Sequence, residues 1–381
     1  MPEEPSKVCL VMLPRAPKVP YKFLSTMLEI CEPITSSVHV ITGNTERITY
    51  PDTGKVHVHD INRSMEKPED NCSFLKKLQN GLNVVWIQML ISREILRLPR
   101  DVDLVVFYVS WPFYLIPLIA SKLSGKRTLE VITRSKLNTS SALNRAYALQ
   151  DRLLLTLIDF ISPESPNLIH ELDLERYQEK IVPMGARYID TNFFRPKKPI
   201  LERDCIGYIG RLCEEKGLLD FVKAVPLLDE GTNVPRILIG GEGELADEVR
   251  NLNGTPGCSI LQPGWIPESD LPDYMSQLRV LVLPTRHSEG LPTIILEAMA
   301  CGTPVLAPAV GGIGDVVSDG KTGFILENTT PECIANNLKS ALNHPLLNTI
   351  SENARNAIEQ EYTYERATQR YRQIFEIMRS S

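Results

Sequence analysis

Two carboxylates frame a predicted helix start within residues 283–304, which read LPTRHSEGLPTIILEAMACGTP. Glu289 precedes the helix, and Glu297 lies inside it. Pro292 falls where the first helical residue would be and Gly302 falls just past the last, and these two residue types favour those positions. The stretch therefore predicts a short apolar helix with an acid on either side of its beginning.

The start of this helix is a predicted anion site. The backbone N–H groups of residues 293–295 would have no partner within the helix, and such groups bind phosphates readily. Glu297 comes about five residues into the helix, and at ~1.5 Å per residue it lies about 7–8 Å from the start. Carboxylates only accept hydrogen bonds, so two of them beside a phosphate suit hydroxyl-rich groups such as a ribose and a transferred sugar.

A second cluster offers two cations at the end of a predicted strand. Residues 208–217 read YIGRLCEEKG, where Gly210 ends the strand and Arg211 and Lys216 follow in the loop. An arginine grips two phosphate oxygens at once and a lysine acts as a point charge, so the pair suits a diphosphate. In a transfer reaction the two cations would stabilise the charge on a departing diphosphate. Ordinary surface salt bridges are the alternative interpretation.

The elements that would position these residues alternate between short apolar runs and longer helical patterns. This alternation predicts an α/β protein with a doubly wound parallel sheet in each half. The helices are predicted at 23–31, 74–98, 141–157, 217–228, 243–252, 270–277, 292–300 and 331–380, the last broken by Pro345, with one more between the strands at 104–110 and 128–133. The strands are predicted at 8–13, 38–42, 104–110, 128–133, 160–162, 180–182, 205–209, 236–239, 259–261, 280–283, 305–307 and 323–326.

The chain divides near residues 194–203, after a segment rich in proline and charge. Residues 1–200 carry 26 basic and 22 acidic side chains, whereas residues 201–381 carry 15 and 25. Ligands of doubly wound sheets bind outside the carboxyl ends of the strands. We therefore expect two Rossmann-like domains whose binding edges face a cleft.

Several motifs of the second half occur in the order seen in glycosyltransferase family 4, and this chain resembles that family. The resemblance covers roughly residues 182–330 and rests on a set of motifs rather than on one pattern. The matching residues are Gly210-Arg211-x4-Lys216-Gly217, Glu289-Gly290-Leu291-Pro292-x4-Glu297, Gly240-Gly241-Glu242-Gly243, Val310-Gly311-Gly312-x2-Asp315 and Val182-x2-Gly185-x4-Asp190-Thr191-x2-Phe194.

The resemblance implies a GT-B fold and a retaining glycosyltransferase that takes its sugar from a nucleoside-diphosphate sugar. The same resemblance implies transfer of a hexose without a bound metal or cofactor. It also implies an acceptor-side domain at 1–197 and a donor-binding domain at 198–363. A C-terminal helix at 364–381 would return to pack on the first domain. The acceptor would be a glycan, a lipid-linked sugar or a small molecule.

The resemblance also implies a role for each matching residue. Glu289 would touch the donor sugar, Glu297 the nucleotide ribose, and Arg211 and Lys216 the diphosphate. Gly241 is open to two interpretations, a phosphate loop or a tight turn without ligand. The remaining implied donor contacts are Gly210, Gly290, Leu291, Pro292 and Thr293 at the sugar and phosphates, with Trp265 and Ile266 beside the base.

The first half departs from the family pattern. The loop at 13–20 lacks the usual Gly-Gly pair, and Arg134 stands near the place where a histidine commonly helps the chemistry. Arg134 is a candidate clamp for a phosphate or for the acceptor. The missing histidine keeps open a nucleotide-sugar-binding protein without transfer activity. A nucleotide-sugar epimerase of the same fold is a third hypothesis, against which the E-x7-E spacing argues.

Charge and cysteine content narrow the partners and the compartment. The net charge of −6, from 41 basic and 47 acidic residues, disfavours a general nucleic-acid binder. The eight cysteines form no CxxC pair, which favours reduced thiols in a cytoplasmic protein over a zinc site or disulfides. Asp101 and Asp103 precede a strand instead of following one, so we expect no metal there.

One helix of the first half could touch a membrane. Lys76, Lys77, Arg93, Arg97 and Arg100 flank an apolar run at 84–91. A domain helix with solvated ends is one interpretation, and peripheral contact with anionic lipid at the inner face of the membrane is the other. The apolar run at 104–120 contains two prolines and predicts a buried strand, a turn and a helix rather than a membrane span.

Overall fold

The protein was analysed as a computed structural model that describes residues 6–12, 20–43, 54–62, 74–108, 114–133, 142–185, 187–228, 236–250, 260–286 and 290–381. Its contacts divide the chain into two compact units. The first unit comprises 1–164, 172–187 and 367–381, and the second comprises 165–171 and 188–366. This division crosses to the second unit after Arg187, whereas the sequence analysis places the boundary after residue 197.

The first unit contains a six-stranded parallel sheet. Its strands are β1 (Lys7–Val11), β2 (Ser37–Thr42), β3 (Val56–Asp60), β4 (Leu104–Phe107), β5 (Arg127–Ile132) and β6 (Phe160–Pro163). Its helices are α1 (Pro20–Cys31), α2 (Phe74–Arg97), α3 (Leu115–Leu123) and α4 (Ala142–Leu157). The strand order is β3-β2-β1-β4-β5-β6. The central strands β1 and β4 are almost entirely apolar because helices cover a parallel sheet on both faces, whereas the edge strand β3 alternates valine with histidine.

Three helices of this unit form one layer. The connections from β3 to β4, β4 to β5 and β5 to β6 run in the same direction along the sheet. Right-handed crossovers therefore place α2, α3 and α4 on the same face. In agreement, α2 packs against α3, and α3 packs against α4.

The second unit contains another six-stranded parallel sheet. Its strands are β7 (Cys205–Ile209), β8 (Arg236–Gly240), β9 (Ile260–Gly264), β10 (Leu278–Val282), β11 (Val305–Pro308) and β12 (Phe324–Leu326). Its helices are α5 (Asn167–Glu171), α6 (Leu218–Ala224), α7 (Ala246–Arg250), α8 (Leu271–Met275), α9 (Thr293–Ala300), α10 (Ile313–Val316), α11 (Pro331–Leu342) and α12 (Leu347–Glu361), and α13 (Tyr364–Ser380) then enters the first unit. The order β12-β11-β10-β7-β8-β9 confirms the prediction of two doubly wound sheets.

Three local predictions differ from the structure. The strand predicted at 180–182 is a single bridge between Ile161 and Ile181, because Pro183 has no N–H to continue the ladder. Pro292 caps α9 instead of opening it, since its ψ of 121° is extended and its carbonyl accepts from the N–H of Ile295. The C-terminal helical region breaks twice rather than once, and the second break lies at Tyr362, whose carbonyl accepts a hydrogen bond from Ile189.

Neither a membrane-spanning helix nor a disulfide occurs in the described part of the chain. Within the described residues, no helix combines the length and the apolar character needed to span a bilayer. Six cysteines are described there, and all six are free thiols. Five of them are buried, and burial raises the pKa of the Cys31 and Cys301 thiols to about 12.

Candidate functional site

The two predicted clusters emerge side by side from the second sheet. β7 and β10 are neighbouring parallel strands, and Gly207 lies opposite Leu281 in their register. The strand order reverses between them, and ligands of such sheets bind at this switch point, outside the carboxyl ends. The loop with Arg211 and Lys216 follows β7, and the segment that leads to α9 follows β10.

The loop after β7 presents Arg211 to solvent. The hydroxyl of Tyr208 donates to the carbonyl of Arg211 at 2.6 Å, which ties the loop to the buried end of the strand. The guanidinium of Arg211 pairs with Glu215 at 2.8 Å, and both side chains are 57% exposed. An exposed pair of this kind contributes only about 0.2–1 kcal/mol. A phosphate could therefore replace Glu215 as the partner of Arg211 at little energetic cost.

Gly217 joins this loop to the segment after β10. It directly follows Lys216, a half-buried residue that ends a short 3₁₀ turn. Gly217 has a φ of +71°, and a Cβ built on it would lie 2.0 Å from the carbonyl oxygen of Pro284. Only glycine fits such a conformation and such an approach. The backbone next to Lys216 is thus packed directly on the segment after β10.

Arg286 makes a second link between the same two segments. Its backbone N–H donates to the carbonyl of Glu215 at 3.1 Å. Its Nε and Nη2 donate to Oδ2 of Asp220, on α6, at 3.0 and 2.5 Å. Neither Arg286 nor Asp220 was predicted from the sequence, because 66 residues separate them and no local pattern signals their pairing.

The glycine turn after β8 supports the loop that carries Arg211. The N–H of Gly241 donates to the carbonyl of Gly264 at 2.7 Å, and its φ is +129°. A Cβ on Gly241 would lie 1.9 Å from the carbonyl oxygen of Gly210. A Cβ on Gly243 would likewise lie 2.2 Å from the carbonyl oxygen of Leu212. The close backbone packing is by itself enough to require glycine at 241, so a phosphate role for it stays a prediction.

The beginning of α9 is held from the neighbouring loop. The carbonyl of Gly290 accepts from the N–H of Gly312 at 2.6 Å, and Leu291 is buried. Pro292 is the cap, and Thr293 is the first helical residue. The N–H of Ile295 donates to the carbonyl of Pro292, so the prediction that this group is left for an anion is wrong. The positive end of the α9 dipole still lies at the binding edge of the sheet, where it favours an anion.

Glu297 is 4% exposed, on the fifth residue of α9. A solvated position on the surface of the helix is therefore excluded. Carboxylates are rarely buried in this way unless polar groups meet them. The buried carboxylate of Glu297 is therefore suited to accept hydrogen bonds from a small number of fixed polar groups.

The predicted base-side residues, Trp265 and Ile266, follow β9 directly and have different environments. The indole of Trp265 is exposed, whereas Ile266 is buried. The Cδ1 atom of Ile266 fills the space beside Gly240, 2.5 Å from where a Cβ would stand. Trp265 is thus available to a ligand at this edge, and Ile266 supports the end of β8.

A segment from the first half of the sequence holds the Gly311-Gly312 turn. The N–H of Gly311 donates to Oε1 of Glu171 at 2.7 Å. The N–H of Asn167 donates to Asp315 at 2.9 Å, and the hydroxyl of Ser165 donates to the same carboxylate. The sequence analysis did not foresee this contact, since the segment precedes the predicted boundary.

Two predicted site residues, Glu289 and Arg134, lie outside the described residues. The described contacts join the loop of Arg211 and Lys216 to residues 284–286 after β10, through Gly217, Pro284 and Arg286. That these side chains and Glu297 bind one ligand stays a prediction. Among the residues described, no group of three His, Cys, Asp or Glu side chains is arranged to hold a metal ion.

The second half of the chain matches a known family. Residues 190–357 match the family model of glycosyl transferases group 1. The match includes the loop after β7, the turn after β8, the segment after β10 and α9. The residues that form the candidate site in the second unit therefore lie within this match.

Curated relatives are glycosyltransferases. The 2-deoxystreptamine N-acetyl-D-glucosaminyltransferase of Streptomyces fradiae is 28% identical over 263 residues, 62% of this chain and 62% of that protein. The UDP-Gal:alpha-D-GlcNAc-diphosphoundecaprenol alpha-1,3-galactosyltransferase of Escherichia coli is 28% identical over 206 residues, 50% of this chain and 52% of that protein. The chain thus spans less than two thirds of the length of the curated relatives it matches.

Solved structures extend the similarity to the whole chain at the level of the fold. The sucrose-phosphate synthase of Thermosynechococcus elongatus aligns with a TM-score of 0.75 and 16% identity, over 99% of this chain and 100% of that one. The two sheets described above are therefore the two Rossmann-like domains of a GT-B fold.

Proposed function

We propose that this protein is a glycosyltransferase of family 4 that moves a sugar from a nucleoside-diphosphate sugar to an acceptor hydroxyl. One observation carries the proposal. The loop with Arg211 and Lys216 packs on the segment that leads to α9, through Gly217 against Pro284 and Arg286 on Glu215. Two cations and a helix start thus share one sheet edge, as a bound diphosphate requires.

In the proposed reaction the bond between the sugar carbon and the diphosphate oxygen breaks. The acceptor oxygen forms the new bond to that carbon, and its proton passes to the departing diphosphate, which has taken the electron pair of the broken bond. Negative charge then develops on the diphosphate, and Arg211, Lys216 and the positive end of the α9 dipole stabilise it. Groups that are fixed before the reaction cost no reorganisation at that moment, and each typically contributes about 10²–10³ in rate.

The acidic residues would orient the donor. Glu297 accepts hydrogen bonds from the ribose hydroxyls, and its burial in α9 supports such a fixed role. Glu289 contacts the transferred hexose. Trp265 lies beside the base, while Gly210, Gly241 and the backbone of residues 290–293 line the phosphates and the sugar. Ile266 supports this edge from the protein interior.

We further propose, from the resemblance to family 4, that the transfer retains the anomeric configuration. The two cations can neutralise the leaving group, so the transfer would need no metal or cofactor. The acceptor would bind to the first unit, with Arg134 as a candidate clamp. The Escherichia coli relative uses UDP-Gal and a lipid diphosphate, and the Streptomyces fradiae relative acts on 2-deoxystreptamine. A glycan, lipid-linked or small-molecule acceptor in the cytoplasm suits this protein.

Incubation with labelled nucleotide sugars tests the proposal. A thermal-shift panel of UDP, GDP, ADP and their sugars first identifies the donor, since a bound ligand raises apparent stability by mass action. Incubation of that donor with candidate acceptors should then give a labelled product. If the donor stays intact with every acceptor, the protein binds nucleotide sugars without transferring them. This is the second candidate function, because Arg134 stands where the family commonly has a histidine. Epimerised donor would overturn transfer in favour of an isomerase.

A further inference from the structure

Helix α2 presents an apolar stripe to solvent. Leu82, Val85, Trp86, Met89 and Leu96 are all exposed, and the indole of Trp86 is 53% exposed. Their spacing of three, four and seven residues places them on one side of the helix. The opposite side packs on the sheet through Ile87, Ile91 and Ile95, which are buried. The outward side of a helix in a globular protein is normally polar, so this stripe needs an explanation.

The neighbouring helices continue the stripe into a surface. Leu123 of α3 is 81% exposed, and Leu149 of α4 is 70% exposed. Because α2, α3 and α4 form one layer, these side chains share one side of the first unit. Of the 19 large hydrophobic side chains exposed among the described residues, ten lie on these three helices. We call the outward surface of these helices the α2–α4 face. Contiguous apolar patches of this kind usually mark an interaction site.

The charge around this face is positive. The described side chains of α2, α3 and α4 include five basic residues against two acidic ones, a net charge of +3 in a chain whose total is −6. They are Arg93, Arg97, Lys122, Arg145 and Arg152 against Glu94 and Asp151. Arg93 and Arg97 are exposed on the same side of α2 as Trp86. Among the described residues, the one carboxylate in ion-pair contact with these two arginines is that of Glu94, at 4.0 Å from Arg93 and 3.3 Å from Arg97. One acid cannot neutralise two guanidinium groups, so positive charge remains beside the apolar stripe.

We propose that the α2–α4 face docks on the surface of an anionic lipid bilayer. A tryptophan among aliphatic side chains, with arginines on the same side, is typical of helices that lie in the membrane interface. The apolar side chains enter the acyl boundary while the arginines reach the headgroups. A second copy of the chain fits less well, because two such faces would bring like charges together. This inference does not depend on the proposed transfer reaction.

Vesicle co-sedimentation of the full chain tests this proposal. The chain should sediment with vesicles of equimolar phosphatidylcholine and phosphatidylglycerol, less with phosphatidylcholine alone, and less as salt is added. Each arginine near an anionic surface contributes roughly a five-fold gain in binding, so Arg93→Gln with Arg97→Gln should weaken it roughly 25-fold. Trp86→Ser with Met89→Ser should also release the protein from the vesicles.

Matched controls lie in the second unit. Leu346→Ser removes another exposed leucine and Arg250→Gln another exposed arginine, and both should sediment like the unaltered chain. The proposal is overturned if the chain stays in the supernatant with both vesicles, or if the α2 variants match these controls. A dimer in sedimentation velocity that Trp86→Ser dissolves would also overturn it, since a second copy would then cover the face.

Nucleotide binding by the same samples separates the two proposals. Trp86→Ser should keep the thermal shift that a nucleoside diphosphate produces, because α2 belongs to the other sheet. If the unaltered chain shows the thermal shift with nucleotide but does not bind vesicles, only the proposal of a lipid-binding face fails. If the unaltered chain binds vesicles but shows no thermal shift with any nucleoside diphosphate, only the proposal of a glycosyltransferase fails.

Discussion

Gly217 lies so close to Pro284 that a Cβ on the glycine would stand 2.0 Å from the proline carbonyl oxygen. The two residues belong to the loops that follow neighbouring strands, β7 and β10. Their contact sets the distance between the backbone beside Lys216 and the segment that leads to α9. The geometry of the candidate diphosphate site thus depends on one residue without a side chain.

Gly217→Ala should therefore destabilise the second unit and weaken nucleotide binding. The left-handed backbone alone costs a non-glycine residue about 1–2 kcal/mol, and the collision with Pro284 adds to it. Gly320→Ala is the control, because Gly320 has a similar φ of +63° but open space around it. Urea unfolding should show a clearly larger loss of stability for Gly217→Ala, and equal losses would show that the contact with Pro284 has no importance.

Removing the Arg286 side chain should disturb the site without touching the ligand. Asp220 is 9% exposed, so Arg286→Met leaves a nearly buried carboxylate without its cation, at a cost of about 1–3 kcal/mol. The loop after β7 should loosen, and nucleotide affinity should fall with stability. Double substitution with Asp220→Asn should recover part of the stability. Arg250→Met breaks an exposed pair with Asp247 and should change the free energy of unfolding by under about 1 kcal/mol.

Glu297→Gln should remove the preference for a ribose. A site built to hydrogen-bond a hydroxyl rejects the analogue that lacks it, because its buried polar groups are then left unpaired. Calorimetric titration should show that the unaltered chain binds the ribonucleoside diphosphate much more tightly than its 2′,3′-dideoxy analogue. In Glu297→Gln the two affinities should converge, through weaker binding of the ribonucleotide. A preference that survives this substitution would place the ribose elsewhere.

The first unit should lose stability as the pH falls below neutral. Burial, and then the neighbouring His57, lower the pKa of His39 to about 4, and its Nδ1 lies 3.0 Å from Nε2 of His59. Between pH 6.5, about the ordinary pKa of histidine, and pH 4, the unfolded chain therefore binds a proton at residue 39 that the folded chain does not bind. The free energy of unfolding should therefore decrease across that interval. His39→Gln should show a shallower decrease in urea unfolding, and an unchanged slope would contradict this assignment.

Much of the fold was predictable because it depends on local patterns. Strands such as β1 and β4 are short apolar runs, and the glycine and proline residues around α9 mark its ends within one residue. The motifs with Arg211, Lys216 and Glu297 were likewise readable, since each lies beside a strand or helix end. Alternation of these elements then predicts parallel sheets, whose carboxyl edges collect the loops.

Contacts between distant segments were not predictable in the same way. Arg286 and Asp220 meet across 66 residues, and Ser165 and Asn167 reach Asp315 across about 150. Each of these residues is an ordinary polar residue in its own neighbourhood. The outward stripe of α2 was only partly predictable. The basic residues around the run at 84–91 raised contact with lipid as one interpretation, but the sequence does not say which apolar side of the helix faces the sheet.

The most direct test of the central claim is calorimetric titration of the identified nucleoside diphosphate into Arg211→Gln with Lys216→Gln, compared with the parent nucleoside. If the two side chains hold the diphosphate, the diphosphate should bind at least about 10²-fold more weakly than to the unaltered chain, since each charge-assisted contact contributes about 1.5–3 kcal/mol. The affinity for the nucleoside should stay the same. Unchanged affinity for the diphosphate would contradict the account.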